Sequence, residues 1–141
     1  TYFQQIGGID VNPVCLEITY GLERIATFVQ NVDSVYKIKV NDSGITYGDL
    51  YLENEKQMSF FNFKLASKNH LYNSFKYHEE SAQTLIENKL PIPAYEQCIK
   101  ASHSFNLLDS RGLVSVSERQ AYILRIRSLV QSCCKLVKKN V

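Results

Sequence analysis

The chain has 141 residues, 45% of them hydrophobic and 21% charged, with a formal net charge of +2. That is enough apolar material for one domain or two small ones, and the near-balance of charge excludes a protein that holds nucleic acid by bulk electrostatics. No apolar run approaches the roughly 18 residues of a helical membrane span.

The first residue is Thr1, and "TYFQQI" begins in mid-strand, so the expectation is that further chain precedes it. Tyr2, Gln4 and Ile6 alternate with Thr1, Phe3 and Gln5, which is a strand signature. Gly7-Gly8 permits a sharp turn. A second strand is predicted from Leu16 to Tyr20, then a helix with Leu22, Ile25, Ala26 and Val29 on one face. Asn31 to Ser34 closes that helix, and "VYKIKV" alternates as a further short strand.

From Thr46 onward the periodicity is helical. Thr46 and Asp49 suit a helix cap, on a helix carrying Leu50, Met58, Phe61 and Phe63. Ser67 caps the next, which runs to about Lys89 before Pro91 and Pro93 break it. A third helix covers Ala94 to about Leu108, and "DSRGLVSV" turns the chain at Gly112. In the last helix Ser117 and Gln120 read as a capping box, with Ile123, Ile126, Val130, Cys133 and Val137 as its buried stripe. The fold class is α+β: a mixed region over 1–45, then a helical domain of about four helices over 46–141.

Four cysteines, Cys15, Cys98, Cys133 and Cys134, contain no Cys-x-x-Cys pair. The reading is reduced, buried thiols in a cytoplasmic protein. Arg119, Arg125, Arg127, Lys135, Lys138 and Lys139 give the last helix a basic bias. That bias suits either contact with RNA phosphates or a solvated face.

The stretch with the most chemistry is "EITYGLERIA", Glu17 to Ala26. A helix N-terminus carries unpaired N–H groups and partial positive charge, and Arg24 adds a forked cation in the first turn. Together they suit a phosphate chain. Gly21 leaves backbone bare where a ligand would approach, and alternation puts Glu17, Thr19 and Gly21 on one face. The plain alternative is a solvated Glu-Arg pair at a helix start.

"EITYGLERIA" resembles motif 3 of the class II aminoacyl-tRNA synthetases, with its Gly-x-Glu-Arg ending. The words "TYFQQIGG", "EITYGLERIATFVQ", "VDSVYKIKVND", "TYGD", "HSFNLLDSRG" and "VSERQAYILRIR" are similar to the alpha subunit of the tetrameric bacterial glycyl-tRNA synthetases, over essentially the whole chain. The resemblance is to the C-terminal part of that subunit, with motifs 1 and 2 expected upstream. It implies that residues 1–45 are the end of an antiparallel-sheet class II catalytic domain.

The resemblance also implies the activity: ATP-dependent activation of glycine to glycyl-adenylate and transfer to tRNA(Gly), together with a beta subunit and a second alpha subunit. On that footing Arg24 and Gly21 bind ATP, with Glu17 beside them. Gln4, Gln5, Tyr2, Thr19 and Glu17 are the candidate glycine contacts. Gln4 and Gln5 face opposite ways along the strand, so one of them, Gln4 with Tyr2, is expected at the amino acid. Magnesium accompanies the nucleotide, and Glu17 is open to two roles, partner of the ammonium or ligand of the metal. Glycine offers no side chain to grip, so its selection has to come from walls that exclude larger residues. The 141 residues alone are expected to be inactive without motif 2. The rival reading is a non-catalytic helical interaction module that keeps a motif 3-like element.

Overall fold

Gly7 and Gly8 both sit at positive φ, +58° and +73°, a region that glycine enters without steric cost. In the computed structural model, which describes the backbone of residues 1–140 and side chains through 138, their turn joins β1 (Tyr2–Ile6) to β2 (Ile9–Leu16) as an antiparallel hairpin. Tyr2 faces Leu16, Phe3 faces Cys15, Gln5 faces Asp10 and Ile6 faces Ile9, with a register irregularity between Phe3 and Gln5. Among the described residues this hairpin is the only sheet.

The strand expected over Leu16–Tyr20 does not form. Pairing ends at Tyr2 opposite Leu16, and residues 17–21 lie outside any strand. Alternation specifies a face, but a strand also needs a neighbour to take its backbone hydrogen bonds. The α+β class holds, with two strands and five α-helices among the described residues.

The chain divides into two compact units, Thr1–Leu16 with Ala66–Val141, and Glu17–Leu65. The division expected from sequence, between 45 and 46, falls inside the second unit.

In the first unit the hairpin accompanies α3 (Lys68–Glu87), α4 (Pro91–Ser110) and α5 (Val116–Asn140). Ser67 caps α3 as expected, its hydroxyl accepting from the His70 N–H. α4 begins at Pro91 rather than Ala94, because a first-turn proline has no hydrogen bond to lose. Ala82 of α3 and Ala94 and Ala101 of α4 are fully buried. Ala82, Ala94, Cys98, Leu129 and Cys133 make one core cluster, and Phe75, Ala101 and Phe105 another, against which Tyr122, Ile123 and Ile126 pack. Arg125 clamps α5 to α3: its guanidinium forks onto the Glu79 carboxylate and lies over the rings of Phe75 and Tyr122, 4.8 and 5.0 Å from their centroids. Of the aromatics on α3, Phe75 is core and Tyr77 is exposed, while the Tyr72 hydroxyl donates to the Leu113 carbonyl (2.6 Å).

The cap of α5 is Ser115 with Glu118, two residues earlier than the Ser117–Gln120 box. Ser115 N–H donates to Glu118 Oε2 (2.9 Å), and Glu118 N–H donates to Ser115 Oγ (3.3 Å). Both boxes are written in "SVSERQ"; the one ending in a carboxylate gains from the positive helix end, and an amide does not. The α5 stripe holds at Cys133 and, half-buried, at Ile123, Ile126 and Val130. Val137 is exposed, and Leu129 takes the buried place that the stripe omitted.

In the second unit α1 (Leu22–Val29) leads through a 3₁₀ turn (Val35–Lys37) to α2 (Tyr47–Phe60), which ends in one π-helical turn (Phe61–Leu65). The strand expected from "VYKIKV" is replaced by that 3₁₀ turn and a single bridge between Lys39 and Thr46. Three hydrogen bonds explain this. Ser34 Oγ accepts from the Tyr36 N–H, which favours a turn. The Gln30 amide takes both backbone groups of Lys39, accepting from its N–H (2.8 Å) and donating to its carbonyl (3.0 Å). The Thr46–Asp49 cap is present in both directions. Leu50, Met58, Phe61 and Phe63 are exposed, so the apolar residues of α2 do not form a core.

The buried alanines leave no room between α3 and α4. Ala101→Leu is therefore expected to destabilise the protein by about 1–3 kcal/mol, and Tyr77→Ala by less than about 0.5 kcal/mol. Denaturant titration of the two variants checks this; equal midpoints would mean the alanine contact is not tight.

Candidate functional site

Arg24 stands in the first turn of α1, and its side chain is exposed. No salt bridge to its guanidinium forms among the described residues, so the group is not locked inside the fold. The N-cap is Gly21, which contributes no side-chain hydrogen bond to the helix start. The first N–H groups of α1 therefore lack the usual Ser, Thr, Asp or Asn oxygen. Thr27 Oγ1 donates to the Arg24 carbonyl (2.8 Å), which steadies the backbone under the guanidinium.

Gly21 has φ −77° and ψ 101°, an extended conformation open to any residue. A Cβ placed there would meet only Arg24 Cβ, at 3.8 Å, an ordinary contact. The fold gives no reason for glycine at this position. Gly7 and Gly112 differ, since both are held at positive φ.

Glu17 and Thr19 come together as the alternation predicts. The Thr19 hydroxyl donates to the Glu17 carboxylate. Both side chains are exposed. Residues 17–21, which carry them, lie outside any strand. The α1 face is formed but uncovered: Leu22 and Val29 are 73% and 75% exposed.

Tyr2, Gln4 and Gln5 belong to the other unit. They line an open depression of about 630 Å³ with Phe3, Asp10 and Val11. Gln4 and Gln5 both reach it, because the register irregularity beside Gln5 interrupts the alternation. Gln5 Nε2 donates to Asp10 Oδ1 across the hairpin (2.7 Å), so its amide is already engaged. Gln4 is exposed.

For a resident metal the residues present do not fit. Among the described residues no group of three or more His, Cys, Asp or Glu converges on one point, and Glu17 is a single carboxylate that already accepts the Thr19 hydroxyl. Cys98 and Cys133 lie buried in one core cluster, from α4 and α5. Burial, followed by the neighbouring Cys133, pushes the Cys98 thiol up from 9.0 to about 12. Such a thiol is protonated and inert at neutral pH.

The basic bias of α5 is partly neutralised. Arg119 pairs with Asp109 (3.0 Å), at the end of α4, and Arg125 with Glu79 on α3. Arg127, Lys135 and Lys138 remain exposed; the Lys139 side chain lies outside the described residues. Sequence reading missed Glu79 and Asp109 as partners, and no fixed spacing could have found them, since they lie 46 and 10 residues away.

The match to known families places the chain among the aminoacyl-tRNA ligases of protein biosynthesis. The family is the glycyl-tRNA synthetase alpha subunit, whose model is matched over residues 1–140, and the chain belongs to it. None of the helices among the described residues is long and apolar enough to cross a membrane.

The thiol environments are directly testable. Alkylation of the native protein at pH 8 is expected to label exposed Cys15 and to leave Cys98 unlabelled until the protein is unfolded. Because the folded pKa is raised, the stability that Cys98 contributes is complete below pH 9 and declines as pH rises toward 12. Rapid native labelling of Cys98 would contradict its burial.

Proposed function

We propose that this chain takes part, as an alpha subunit acting with a beta subunit and a second alpha subunit in the cytoplasm, in the ATP-dependent charging of tRNA(Gly) with glycine. In the first step a glycine carboxylate oxygen bonds to the α-phosphorus of ATP, and the bond from that phosphorus to the bridging oxygen breaks. Pyrophosphate leaves and glycyl-adenylate remains. In the second step a ribose hydroxyl of the terminal adenosine attacks the glycyl carbonyl, and AMP leaves. The protein's share of this chemistry is alignment of the reactants and stabilisation of phosphate charge.

The observation that carries this reading is the junction at Gly21 and Arg24. A glycine that the fold does not require stands at an uncapped helix start, with an exposed guanidinium one turn on. Bare backbone N–H groups and a forked cation suit the oxygens of a triphosphate. Arg24 is assigned to the terminal phosphates and the adenine face, and Gly21 to close backbone approach. Glu17, oriented by Thr19, is assigned to the glycine ammonium; Gln4, Gln5 and Tyr2 are assigned to the amino acid. Magnesium enters on the nucleotide, held chiefly by its phosphates.

Two substitutions separate binding from folding. Gly21→Ala is expected to keep or raise the melting temperature, since the backbone there tolerates alanine, while impairing ATP-dependent pyrophosphate exchange. Arg24→Ala is expected to lower kcat/KM for ATP about 10–100-fold, the size of a lost charge-assisted phosphate contact. Exchange close to wild type in both variants would remove the junction from the site and favour a non-catalytic interaction role.

A further inference from the structure

We propose that α5 is the seat that sets the position of strand β1, with Gly7, Gln131 and Cys134 as positioning residues for the glycine contacts on that strand. This rests on the assignment of Gln4 and Gln5 to the amino acid.

The strands of the hairpin are largely exposed and pack little against the helices. Between the hairpin and the helices is an open cleft of about 710 Å³, lined by Ile6, Ile9 and Val11 on one side and by Tyr95, Cys133 and Val137 on the other. A strand facing an open cleft takes little restraint across it, because packing contacts fall away steeply with distance. The hairpin is gripped instead at its turn. A Cβ on Gly7 would lie 3.2 Å from Cys134 Sγ and 3.2 Å from Gln131 Cα. The turn therefore rests against the Cys134 thiol and the Gln131 backbone of α5, and the backbone cannot give way by a change of rotamer.

That backbone is itself fixed. Cys133, next to the seat, is in the core cluster with Cys98 of α4, and Arg125 ties the same helix to Glu79 of α3. Gln4 lies three residues from Gly7, about 10 Å along an extended strand. The pairs Ile6–Ile9 and Gln5–Asp10 run directly from the turn, so a displacement at the seat is carried to Gln5 and its neighbour Gln4. Substrate-binding groups need support from rigid elements to hold their geometry, and α5 is the rigid element that meets this hairpin.

The two turn glycines supply a matched test. Gly7 and Gly8 are both at positive φ, so alanine strains the backbone at either one. A Cβ on Gly8 would meet only Gln131 Nε2, at 3.4 Å, the end of a flexible side chain. Glycine and ATP KM values are measured by pyrophosphate exchange in the assembled ligase, for Gly7→Ala, Gly8→Ala, Cys134→Leu and Gln4→Ala. Cys134→Leu presses on the turn from the helix side and leaves the turn's own backbone angles alone. Gly7→Ala and Cys134→Leu are expected to raise the glycine KM about tenfold over Gly8→Ala, with the ATP KM unchanged. Adding Cys134→Ala to Gly7→Ala is expected to recover part of that loss. Equal glycine KM values for Gly7→Ala and Gly8→Ala, with Cys134→Leu like wild type, would overturn the seat while Gln4→Ala still impaired glycine binding. A normal glycine KM in Gln4→Ala would overturn the amino-acid assignment, and the seat's role with it.

Discussion

The close approach of α3 to α4 is the constraint from which the first unit is built. Ala82, Ala94 and Ala101 occupy the contact with no exposed surface, so the two backbones meet with little between them. Close-packed interiors tolerate neither an added methylene nor a removed one. The approach leaves a groove that Leu129, Cys133, Ile126 and Tyr122 of α5 fill. The Arg125–Glu79 fork then closes the third side, with the guanidinium stacked on Phe75 and Tyr122. The pair is partly exposed, so its electrostatic worth is modest; stacking and shape do more to hold α5 in place. The hairpin turn then depends on α5 for its footing.

The second unit is organised differently. It has little buried apolar surface, with Ile38 its one buried core residue, and it is held by specific polar bonds. Gln30 clamps Lys39, Thr46 and Asp49 cap α2, and Tyr36 hydrogen-bonds to Glu55. Thr46 holds the Asp49 carboxyl below its ordinary range. The apolar face of α1 and the aromatic residues at the end of α2 remain in contact with water. An uncovered apolar surface carries a standing cost that association recovers, which accords with a chain whose family is a subunit of a larger ligase. The junction proposed to hold the nucleotide lies on this lightly packed unit, at the start of α1.

Elements with a local cause were legible in the sequence. The Gly7-Gly8 turn, the Thr46–Asp49 box, the Ser67 cap and the Gly112 turn each depend on a few adjacent residues, and each is present. Elements that needed a distant partner were not. The alternation of Leu16–Tyr20 specified a face but no neighbouring strand. "VYKIKV" lost to a glutamine nine residues earlier. The α5 cap turned on a choice between two overlapping boxes, decided by charge. The same limit applies to the candidate site. The bond between Glu17 and Thr19 follows from alternation, whereas the lack of any structural need for glycine at 21 is visible only in three dimensions. The assignment to an aminoacyl-tRNA ligase came from long stretches of family wording, since an arginine at a helix start is by itself a permissive pattern.

The central claim is that the start of α1 holds a nucleotide through Arg24. Thermal denaturation of the purified chain, with and without magnesium and ATP, addresses it without depending on turnover. Binding to the folded state alone raises the transition by mass action, by about 2.7 kcal/mol at a hundredfold excess over Kd. The account predicts that ATP raises the melting temperature of the native chain and leaves that of Arg24→Ala unmoved. An equal rise in both proteins, or none in the native one, would contradict it.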